Sequence, residues 1–353
     1  MRIAILTNDF PPTATGGAGV IAAEQVRLLG AEGHDVRVWH RPFLFRGQPA
    51  PVRLLGHLVD VLPRRDVVRE MEDFKPDVLI THNLTGCGLG TPARVRVGGA
   101  MWIHTLHDVQ LFEPSGRLMR PERITLWQRA WSRVRRSALG APDLVISPTH
   151  WLLEEHKRRG FFRDAGTRVV LLPNPGPAVE PVVREAPHTP LRLLFVGRFS
   201  DEKGAPFLQR VMHELEGRGV QVTLRMAGPS CVVRQQSMVC VGPLAREEIL
   251  SLMRESDVLL VPSQIAENQP TVILEAASTG LPIIASHIGG IPETLGEDGM
   301  LVPPSNIAAW ADAIEWLTDS VAFRSSVTIS RRLSERHDAN RYRDALLGLI
   351  VKR

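Results

Sequence analysis

The sequence predicts an α/β protein of two domains, each built around a parallel β-sheet. Its 353 residues correspond to about two domains of ordinary size. Short apolar segments alternate with amphipathic helical segments along most of the chain, and this alternation is typical of parallel sheets with helices on both faces. A proline-rich stretch at 173–190 separates two halves, and each half begins with an apolar strand.

The order of predicted elements defines the domain boundaries. In the first half we predict strands near 2–7, 35–40, 77–82, 100–106, 143–148 and 168–172, with helices near 17–31, 64–74, 121–139 and 149–159. In the second half we predict strands near 191–197, 221–227, 238–241, 257–262, 281–285 and 300–302. We therefore place an N-terminal domain at 1–175, a linker at 176–190 and a C-terminal domain at 191–335. A last helix within 336–353 follows the second sheet and could pack back across the linker.

Composition and charge exclude several classes of protein. The chain is 44% hydrophobic and 23% charged, with a net charge of +4, which is an ordinary globular composition. This mild basicity tolerates anionic substrates or an anionic membrane surface, but no interleaved basic and aromatic motif indicates nucleic acid. We see neither a signal peptide nor an apolar run that could span a bilayer. Cys87, Cys231 and Cys240 lack metal-ligand spacing, so we expect reduced thiols in a cytosolic protein.

The segment 267–275 carries the strongest functional signal. It follows the predicted strand at 257–262, and Pro270 fits the first turn of the helix that comes next. Glu267 then lies on a loop and Glu275 lies in the helix, where both can reach the crevice at the carboxyl end of the strand. Carboxylates there suit sugar hydroxyls, and the N–H groups of a helix start suit phosphate, as in a nucleotide sugar. The alternative is two ordinary surface glutamates.

A glycine-flanked turn at 197–204 follows the first strand of the second half. Arg198 offers a planar fork and Lys203 a compact charge, which together suit a diphosphate. Alternatively, both form surface pairs with Asp201 and Glu202. We find no Asp-x-Asp motif and no His or Cys cluster, so a metal site is not indicated. We expect Arg198, Lys203 and a helix dipole to neutralise the pyrophosphate instead.

The first glycine-rich loop joins the first strand to the first helix. Gly17 opens a G-x-G-x-x-A pattern, but about ten residues separate it from the strand and no acid ends the second strand. A nicotinamide or flavin site is therefore disfavoured. The backbone at Gly16 and Gly17 can still approach a charged ligand, although a flexible surface loop is an equal alternative. His107 lies past an apolar strand and is better placed for function than His104, which we interpret as a structural histidine.

Taken together in their order along the chain, these segments resemble the retaining glycosyltransferases of family four, which have the GT-B fold. The matching segments are Phe10-Pro11-Pro12 with Gly16-Gly17, Leu106-His107-Asp108, Ser147-Pro148-Thr149, Pro173-Asn174-Pro175-Gly176, 196–204, 257–263 and 267–290. The resemblance implies two Rossmann-like parallel-sheet domains that face a central cleft. It also implies that the N-terminal domain binds the acceptor and the C-terminal domain binds a nucleotide-sugar donor.

The resemblance assigns roles to the candidate residues. His107 and Glu267 are the implied catalytic residues, and both contact the donor sugar. The implied ligands of the donor diphosphate are Gly16, Gly17, Arg198 and Lys203. The implied ligands of the donor sugar and ribose are Glu267, Asn268, Gln269, Thr271 and Glu275, and Pro243 and Leu244 are weaker candidates for binding the base. The sequence departs from the family at Asn268-Gln269-Pro270, where Pro270 lacks an N–H, and at Asn174-Pro175.

The implied reaction moves a sugar from a nucleotide-diphosphate sugar to an acceptor hydroxyl with retention of configuration and without a metal or other cofactor. No side chain is an obvious nucleophile, which agrees with a front-face mechanism in which the leaving phosphate helps to deprotonate the acceptor. A role in cell-surface polysaccharide, glycolipid or glycoside synthesis would follow. The alternatives are a nucleotide-sugar epimerase or glycosyl phosphorylase of the same fold, and a non-catalytic nucleotide-sugar binding subunit.

The helical segment at 121–139 raises the question of membrane contact. Its apolar face carries Ile124, Trp127, Trp131, Val134 and Ala138, and its opposite face carries Arg129, Arg133 and Arg136. This pattern suits an interfacial helix on anionic lipid, at the inner face of the membrane and with a lipid-linked or glycan acceptor. Alternatively, the tryptophan face packs on the helix's own sheet. In a third case, the arginines steer a phosphorylated acceptor.

Overall fold

The protein folds into two compact units, which the computed structural model describes over residues 1–12, 16–45, 47–113, 115–118, 123–233 and 235–351. The first unit runs from Met1 to Asn174 and includes the C-terminal segment from Asn340. The second unit runs from Pro175 to Ala339. Each unit contains one six-stranded sheet, as the alternation of strands and helices predicts.

The first unit has a parallel sheet covered by helices. Its strands are β1 (Arg2–Thr7), β2 (Asp35–His40), β3 (Val78–Thr81), β4 (Met101–Thr105), β5 (Leu144–Ser147) and β6 (Arg168–Leu171). Its helices include α1 (Gly17–Ala31), α2 (Ala50–Val59), α3 (Arg65–Phe74), α4 (Thr91–Arg96), α5 (Leu126–Leu139) and α6 (His150–Arg158). The strand order is β2-β1-β3-β4-β5-β6. It reverses between β1 and β3, and open α/β sheets bind ligands at such a switch point.

Two of these helices were not predicted from the sequence. α4 has six residues, which are too few for a periodic pattern. α2 has ten residues, but its large apolar side chains are exposed instead of forming a buried stripe. α5 begins later than predicted because Thr125 caps it: the Thr125 hydroxyl accepts from Gln128 N at 3.1 Å, and the Gln128 side chain accepts from Thr125 N at 3.2 Å. The predicted helical residues 121 and 122 lie outside the described residues.

The second unit repeats this architecture with a different strand order. Its strands are β7 (Leu191–Val196), β8 (Val222–Ala227), β9 (Met238–Gly242), β10 (Val258–Val261), β11 (Ile283–Ser286) and β12 (Met300–Val302). Its helices are α7 (Ala205–Gly217), α8 (Arg246–Glu255), α9 (Thr271–Ser278), α10 (Ile291–Leu295), α11 (Ile307–Trp316) and α12 (Ser320–Arg336). The order is β12-β11-β10-β7-β8-β9, so the switch point lies between β7 and β10.

The proline-rich segment 176–190 contains no helix or strand but is tied to the second unit. Val182 N donates to Thr279 O at 3.1 Å, and Arg184 Nη2 donates to Met253 O at 2.7 Å. His188 Nδ1 lies 2.7 Å from a carboxylate oxygen of Asp257. The segment that the sequence analysis described as a linker is therefore a packed strap on this unit.

The last helix, α13 (Ala339–Val351), packs on the first unit. Tyr342, Leu346 and Ile350 are buried in the same apolar cluster as Ile3 and Ile5 of β1. The Tyr342 hydroxyl accepts from Gln25 Nε2 at 2.6 Å, and burial raises the pKa of Tyr342 to about 12. The C-terminal helix thus completes the core beneath the first sheet.

The expectation of three reduced cysteines is wrong for two of them. Cys231 and Cys240 form a disulfide, with their Cα atoms 5.8 Å apart, whereas Cys87 is free and buried. The loop between β8 and β9 brings Cys231 beside Cys240. A separation of nine residues in the sequence does not by itself predict this pairing. Cysteine usage therefore does not support a reducing compartment.

Candidate functional site

The predicted phosphate turn and the predicted diacid loop lie together at the switch point of the second sheet. The turn at 197–204 follows β7, and the loop at 262–270 follows β10. Gln264 N donates to Glu202 O at 2.8 Å. Gly204 has φ +74°, and a Cβ at this position would stand 2.0 Å from Pro262 O. Glycine is therefore required for this close approach.

Lys203 and Glu267 form an ion pair, and Ser263 completes the group. Lys203 Nζ binds Glu267 Oε2, and the Ser263 hydroxyl donates to Glu267 Oε1. The two charged side chains retain 33% and 16% of their exposure, so solvent still reaches them. Each carboxylate oxygen has two lone pairs and the ammonium has three N–H groups. The group can therefore still accept from a sugar hydroxyl and donate to a phosphate oxygen.

A glycine pair after β11 fixes the backbone at Glu267. Gly290 N donates to Glu267 O at 2.7 Å. Gly289 has φ +62°, and a Cβ there would lie 2.3 Å from Glu267 O. The ends of three neighbouring strands, β7, β10 and β11, therefore hold the Glu267 carboxylate in place.

Helix α9 begins at Thr271, and Pro270 is its N-cap residue instead of lying in the first turn as predicted. The Pro270 side chain makes no capping hydrogen bond to this helix start, and the backbone N–H groups of a first helical turn can donate to a ligand. Gln269 is buried, whereas Asn268 and Thr271 are partly buried. The sugar and ribose contacts assigned to these three residues stay a prediction.

Glu275 is buried on α9 beside Arg246. Arg246 Nε lies 3.5 Å from Glu275 Oε1. Burial raises the pKa of Glu275, and the Arg246 guanidinium acts in the opposite direction. Arg246 is the first residue of α8, directly after the loop that contains exposed Pro243 and partly buried Leu244. The candidate base-binding residues therefore lie next in sequence to a partner of the candidate ribose-binding carboxylate.

Arg198 stands exposed in the turn after β7. Its backbone is fixed by a close contact, because a Cβ on Gly228 would come within 1.9 Å of Gly197 O. Within the described ranges its side chain makes no hydrogen bond or ion pair. Since Lys203 pairs with Glu267, the alternative of surface pairs with Asp201 and Glu202 is not seen among these residues.

A second group of predicted residues lies in the first unit, at the carboxyl ends of β1, β3 and β4. Asn8 N donates to Asn83 O at 3.0 Å, which joins the ends of β1 and β3. Gly16 N donates to Asp9 Oδ2 at 3.0 Å, and Gly17 opens α1. Residues 13–15 of this loop lie outside the described residues.

His107 stacks on a second histidine that the sequence analysis did not select. His82 Nδ1 and His107 Nε2 share a hydrogen bond of 2.6 Å, and the two rings are 4.9 Å apart at 20°. His82 is fully buried. Burial lowers the pKa of His107 to about 4 and that of His82 well below its usual range. Both imidazoles are therefore neutral near pH 7, with one proton in the bond between them.

Asp108, next to His107, is held as a hydrogen-bond acceptor. It accepts from Asn83 Nδ2 at 2.8 Å, from Gln110 N at 2.8 Å and from Gln110 Nε2 at 2.9 Å. Burial raises the pKa of Asp108 to about 6, and these hydrogen bonds oppose the rise. The carboxylate thus orders the loop that follows β4.

A small polar cavity lies beside these residues. The centre of a water molecule can move within about 10 Å³ of this cavity, so the cavity has room for about one water. The polar side chains that line it are His82, Asn83, Thr85, His104, His107, Asp108, Gln110 and Arg135. Arg135 is buried, with Nε donating to Leu111 O at 2.9 Å and Nη1 without a partner among the described residues. A water in the cavity would give such a donor a partner.

His104 is a core histidine within β4. Its Nδ1 lies 2.8 Å from Thr81 Oγ1, which also accepts from Trp102 Nε1 at 2.9 Å. Burial lowers the pKa of His104 to about 3. These contacts agree with the structural interpretation of this residue.

Comparison with known proteins identifies the family. A model described as Glycosyltransferase Family 4 matches residues 15–175, and one described as Glycosyl transferases group 1 matches residues 190–320. The chain belongs to the family-four glycosyltransferases. The D-inositol 3-phosphate glycosyltransferase of Arthrobacter sp. is 29% identical to this glycosyltransferase over 92% of this chain and 89% of the relative.

Solved structures show that this glycosyltransferase has the GT-B fold. The sucrose-phosphate synthase from Thermosynechococcus elongatus superposes with a TM-score of 0.74 at 20% identity, over 99% of this chain and 98% of that one. HepE from Anabaena, in complex with UDP-glucose, superposes with a TM-score of 0.68 at 18% identity over the whole of both chains.

Three further residues contact the predicted site residues and were not predicted from the sequence. His82 directly follows the buried strand β3, and Ser263 is the second residue after the buried strand β10, so position was an available signal for both. Arg246 gave no such signal, because only the folded chain brings α8 beside Glu275. In the described parts of the chain no three His, Cys, Asp or Glu residues are grouped as metal ligands.

Proposed function

We propose that this glycosyltransferase moves a sugar from a nucleotide-diphosphate sugar to an acceptor hydroxyl with retention of anomeric configuration. The observation that carries the proposal is the meeting of Arg198, Lys203 and Glu267 at the β7–β10 switch point, with Glu275 on the helix that follows. The structure of HepE with UDP-glucose supports a nucleotide-sugar donor.

In this proposal the donor binds mainly to the second unit. Arg198 and Lys203 bind the diphosphate, and the N–H groups at the start of α9 add positive potential. Glu267 accepts from the sugar hydroxyls and Glu275 from the ribose hydroxyls. Asn268, Gln269 and Thr271 add contacts to the sugar or ribose, and the loop with Pro243 and Leu244 contacts the base.

The chemistry of the proposal depends on stabilising the leaving group. Fixed positive charge from Arg198 and Lys203 lowers the energy of the departing diphosphate. The carboxylates of Glu267 and Asp108 both already accept hydrogen bonds from neighbouring side chains. We therefore assign deprotonation of the acceptor to the departing phosphate. Neutral His107 supplies a hydrogen bond to the donor sugar near the reacting carbon.

The proposal assigns acceptor binding to the first unit and requires no metal ion. The backbone of Gly16 and Gly17 approaches the sugar and phosphates, as the family resemblance implies. The acceptor is a lipid-linked or glycan hydroxyl, used in cell-surface polysaccharide, glycolipid or glycoside synthesis. The reaction takes place in the cytoplasm at the inner face of the membrane.

A panel of nucleotide sugars tests the proposal. The true donor should raise the melting temperature by mass action. When an acceptor is added, free nucleotide should be released. NMR of the product should show the same anomeric configuration as in the donor. Nucleotide release without an acceptor, or an inverted product, would contradict the proposal. Loss of transfer in a chelator, restored by magnesium or manganese, would contradict metal independence.

A further inference from the structure

Exposed apolar side chains are concentrated in one short part of the first unit. In the described ranges, the segment 44–62 exposes seven large ones: Leu44, Val52, Leu54, Leu55, Leu58, Val59 and Leu62. The exposed fraction reaches 76% at Leu44 and 65% at Leu62. Single exposed apolar residues are ordinary on soluble proteins, but a contiguous group of them marks an interaction surface.

Helix α2 forms the centre of this surface. Only Gly56 and His57 of its ten residues are buried. His57 stacks on Phe43 with ring centres 4.4 Å apart, and a Cβ on Gly56 would lie 2.5 Å from the Phe45 ring. A surface helix ordinarily buries its apolar stripe and exposes polar residues. In α2 the arrangement is reversed, because its leucines and valines face outward.

The helix is firmly attached, so this exposure belongs to the folded unit. Asp60, directly after α2, is buried and accepts from Gly86 N at 2.8 Å and Gly88 N at 3.0 Å. Asp60 O accepts from Leu89 N at 2.7 Å. These hydrogen bonds hold the end of α2 against the loop at 86–89 and leave its apolar side chains outside.

The charged residues around this surface indicate an anionic partner. From 41 to 65 the sequence has five arginines and one acid, and that acid is the buried Asp60. Beyond this stretch, Asp66 and Glu70 pair with Arg41, which leaves an excess of arginines around the apolar side chains. This combination suits an anionic lipid surface, which takes the apolar groups among its acyl chains and attracts the guanidinium groups. A symmetric contact with a second copy would instead bring the two sets of arginines together.

Helix α5 also carries exposed apolar side chains, but its exposed face differs from the predicted one. Trp131 is buried and stacks on the exposed Trp127, with ring centres 5.9 Å apart, and Leu126 and Val134 are also exposed. The interpretation of one exposed tryptophan face is therefore wrong for Trp131.

We propose that residues 44–62, centred on α2, form a membrane-contact surface that inserts its leucines and valines into an anionic bilayer. This inference rests on the proposed function in one respect: it supplies the reason why the first unit would meet a lipid-linked acceptor. The contact itself does not depend on the sugar chemistry and can be tested without it.

Flotation of the full chain with lipid vesicles tests the proposal. The chain should float with vesicles of phosphatidylcholine and phosphatidylglycerol, and much less with phosphatidylcholine alone. The double variant Leu55→Glu with Leu58→Glu should float at least about tenfold less, because it replaces two inserted leucines by carboxylates that an anionic bilayer repels. Both leucines are exposed, so the substitutions leave the core intact.

The matched control is Val183→Glu with Val321→Glu, which places two glutamates at exposed apolar positions of the second unit. It should float like the unmodified chain. Nucleotide-sugar affinity by calorimetry should be equal in all three proteins, which separates failure of this inference from failure of the proposed function. The proposal would be overturned if the chain did not float at low salt, or if it floated equally well on neutral vesicles. It would also be overturned if both variants floated equally, or if the chain formed a dimer that only the α2 variant disrupted.

Discussion

At the residue scale, the pairing of Lys203 with Glu267 unites two predicted ligand groups. That contact depends on β10 lying next to β7 although two strands separate them in sequence. Spacing along the chain carries no information about this crossover. The Ser263 hydroxyl binds the same carboxylate from four residues earlier in the loop after β10, so this contact depends on the conformation of that loop.

The cationic turn supplies the first prediction. Arg198→Ala and Lys203→Ala should each weaken binding of a nucleoside diphosphate by ~1.5–3 kcal/mol, the range for hydrogen bonds to charged groups. Isothermal calorimetry measures the loss. Arg210→Ala is the control, because Arg210 is an exposed cation on α7 outside this turn. Unchanged affinity in both turn variants would place the diphosphate elsewhere.

The histidine pair supplies the second prediction. His82→Leu removes the hydrogen bond between His82 and His107 Nε2, and the loss of one side of a buried hydrogen bond costs about 1–3 kcal/mol. We expect kcat to fall about five- to a hundredfold, with a smaller change in donor affinity, because the His107 ring loses its fixed tautomer. His82→Asn keeps a donor near the position of Nδ1 and should retain more activity.

Nitrogen-15 NMR of the imidazoles reads the His107 tautomer directly. It should show one tautomer in the unmodified chain and in His82→Asn, and a mixture in His82→Leu. Equal kinetic loss in both variants with an unchanged tautomer would mean that His82 only fills space. Melting temperatures of both variants control for loss of folded protein.

At the element scale, the crossing of the β7 turn and the β10 loop depends on one glycine. Gly204→Ala would add a Cβ 2.0 Å from Pro262 O at a position with φ +74°. We expect a loss of about 1–3 kcal/mol in the free energy of unfolding, together with weaker nucleotide binding. Urea unfolding and calorimetry measure the two effects.

A second glycine in the adjoining helix is the matched control for this prediction. Gly217 ends α7, and a Cβ there would meet nothing within 4 Å. Gly217→Ala should be neutral or stabilising by about 0.4–1 kcal/mol. If the two alanine variants unfold at the same urea concentration, the close approach at Gly204 does not constrain the site.

The elements themselves were largely readable from the sequence. The six strands of each sheet were predicted to within a few residues, because buried parallel strands are short apolar runs between polar turns. α2 was not predicted, since its apolar residues are exposed and so do not follow the pattern of a surface helix. The strap at 176–190 was read as a linker because proline density indicates the absence of helix and strand, not the absence of packing.

At the scale of the whole molecule, buried histidines make the first unit sensitive to acid. Burial is the main cause that lowers the pKa of His104 to about 3 and those of His107 and His156 to about 4. The unfolded chain takes up these protons near pH 6.5. Since the unfolded state then binds more protons, stability should fall as the pH drops from about 6.5 to about 4. Each histidine contributes about 1.4 kcal/mol per pH unit.

Asp108 acts in the opposite direction, because its raised pKa of about 6 lets the folded state bind a proton first. It offsets about one histidine and leaves the net trend acid-destabilising. Urea unfolding at several pH values, with limited proteolysis to identify the unit that opens first, measures this trend. The exposed His213→Ala in the second unit is the control and should change nothing. A pH-independent unfolding midpoint over this range would contradict the prediction.

The position of α13 has a consequence for how the chain is made. The chain leaves the first unit at Asn174 and returns to it at Asn340, so the second unit is inserted into the first. During translation the second unit is complete in sequence before the helix that covers Ile3 and Ile5 has been synthesised. The half of the protein that emerges first from the ribosome is therefore the half that finishes folding last. Until then its β1 apolar face is a natural surface for a chaperone.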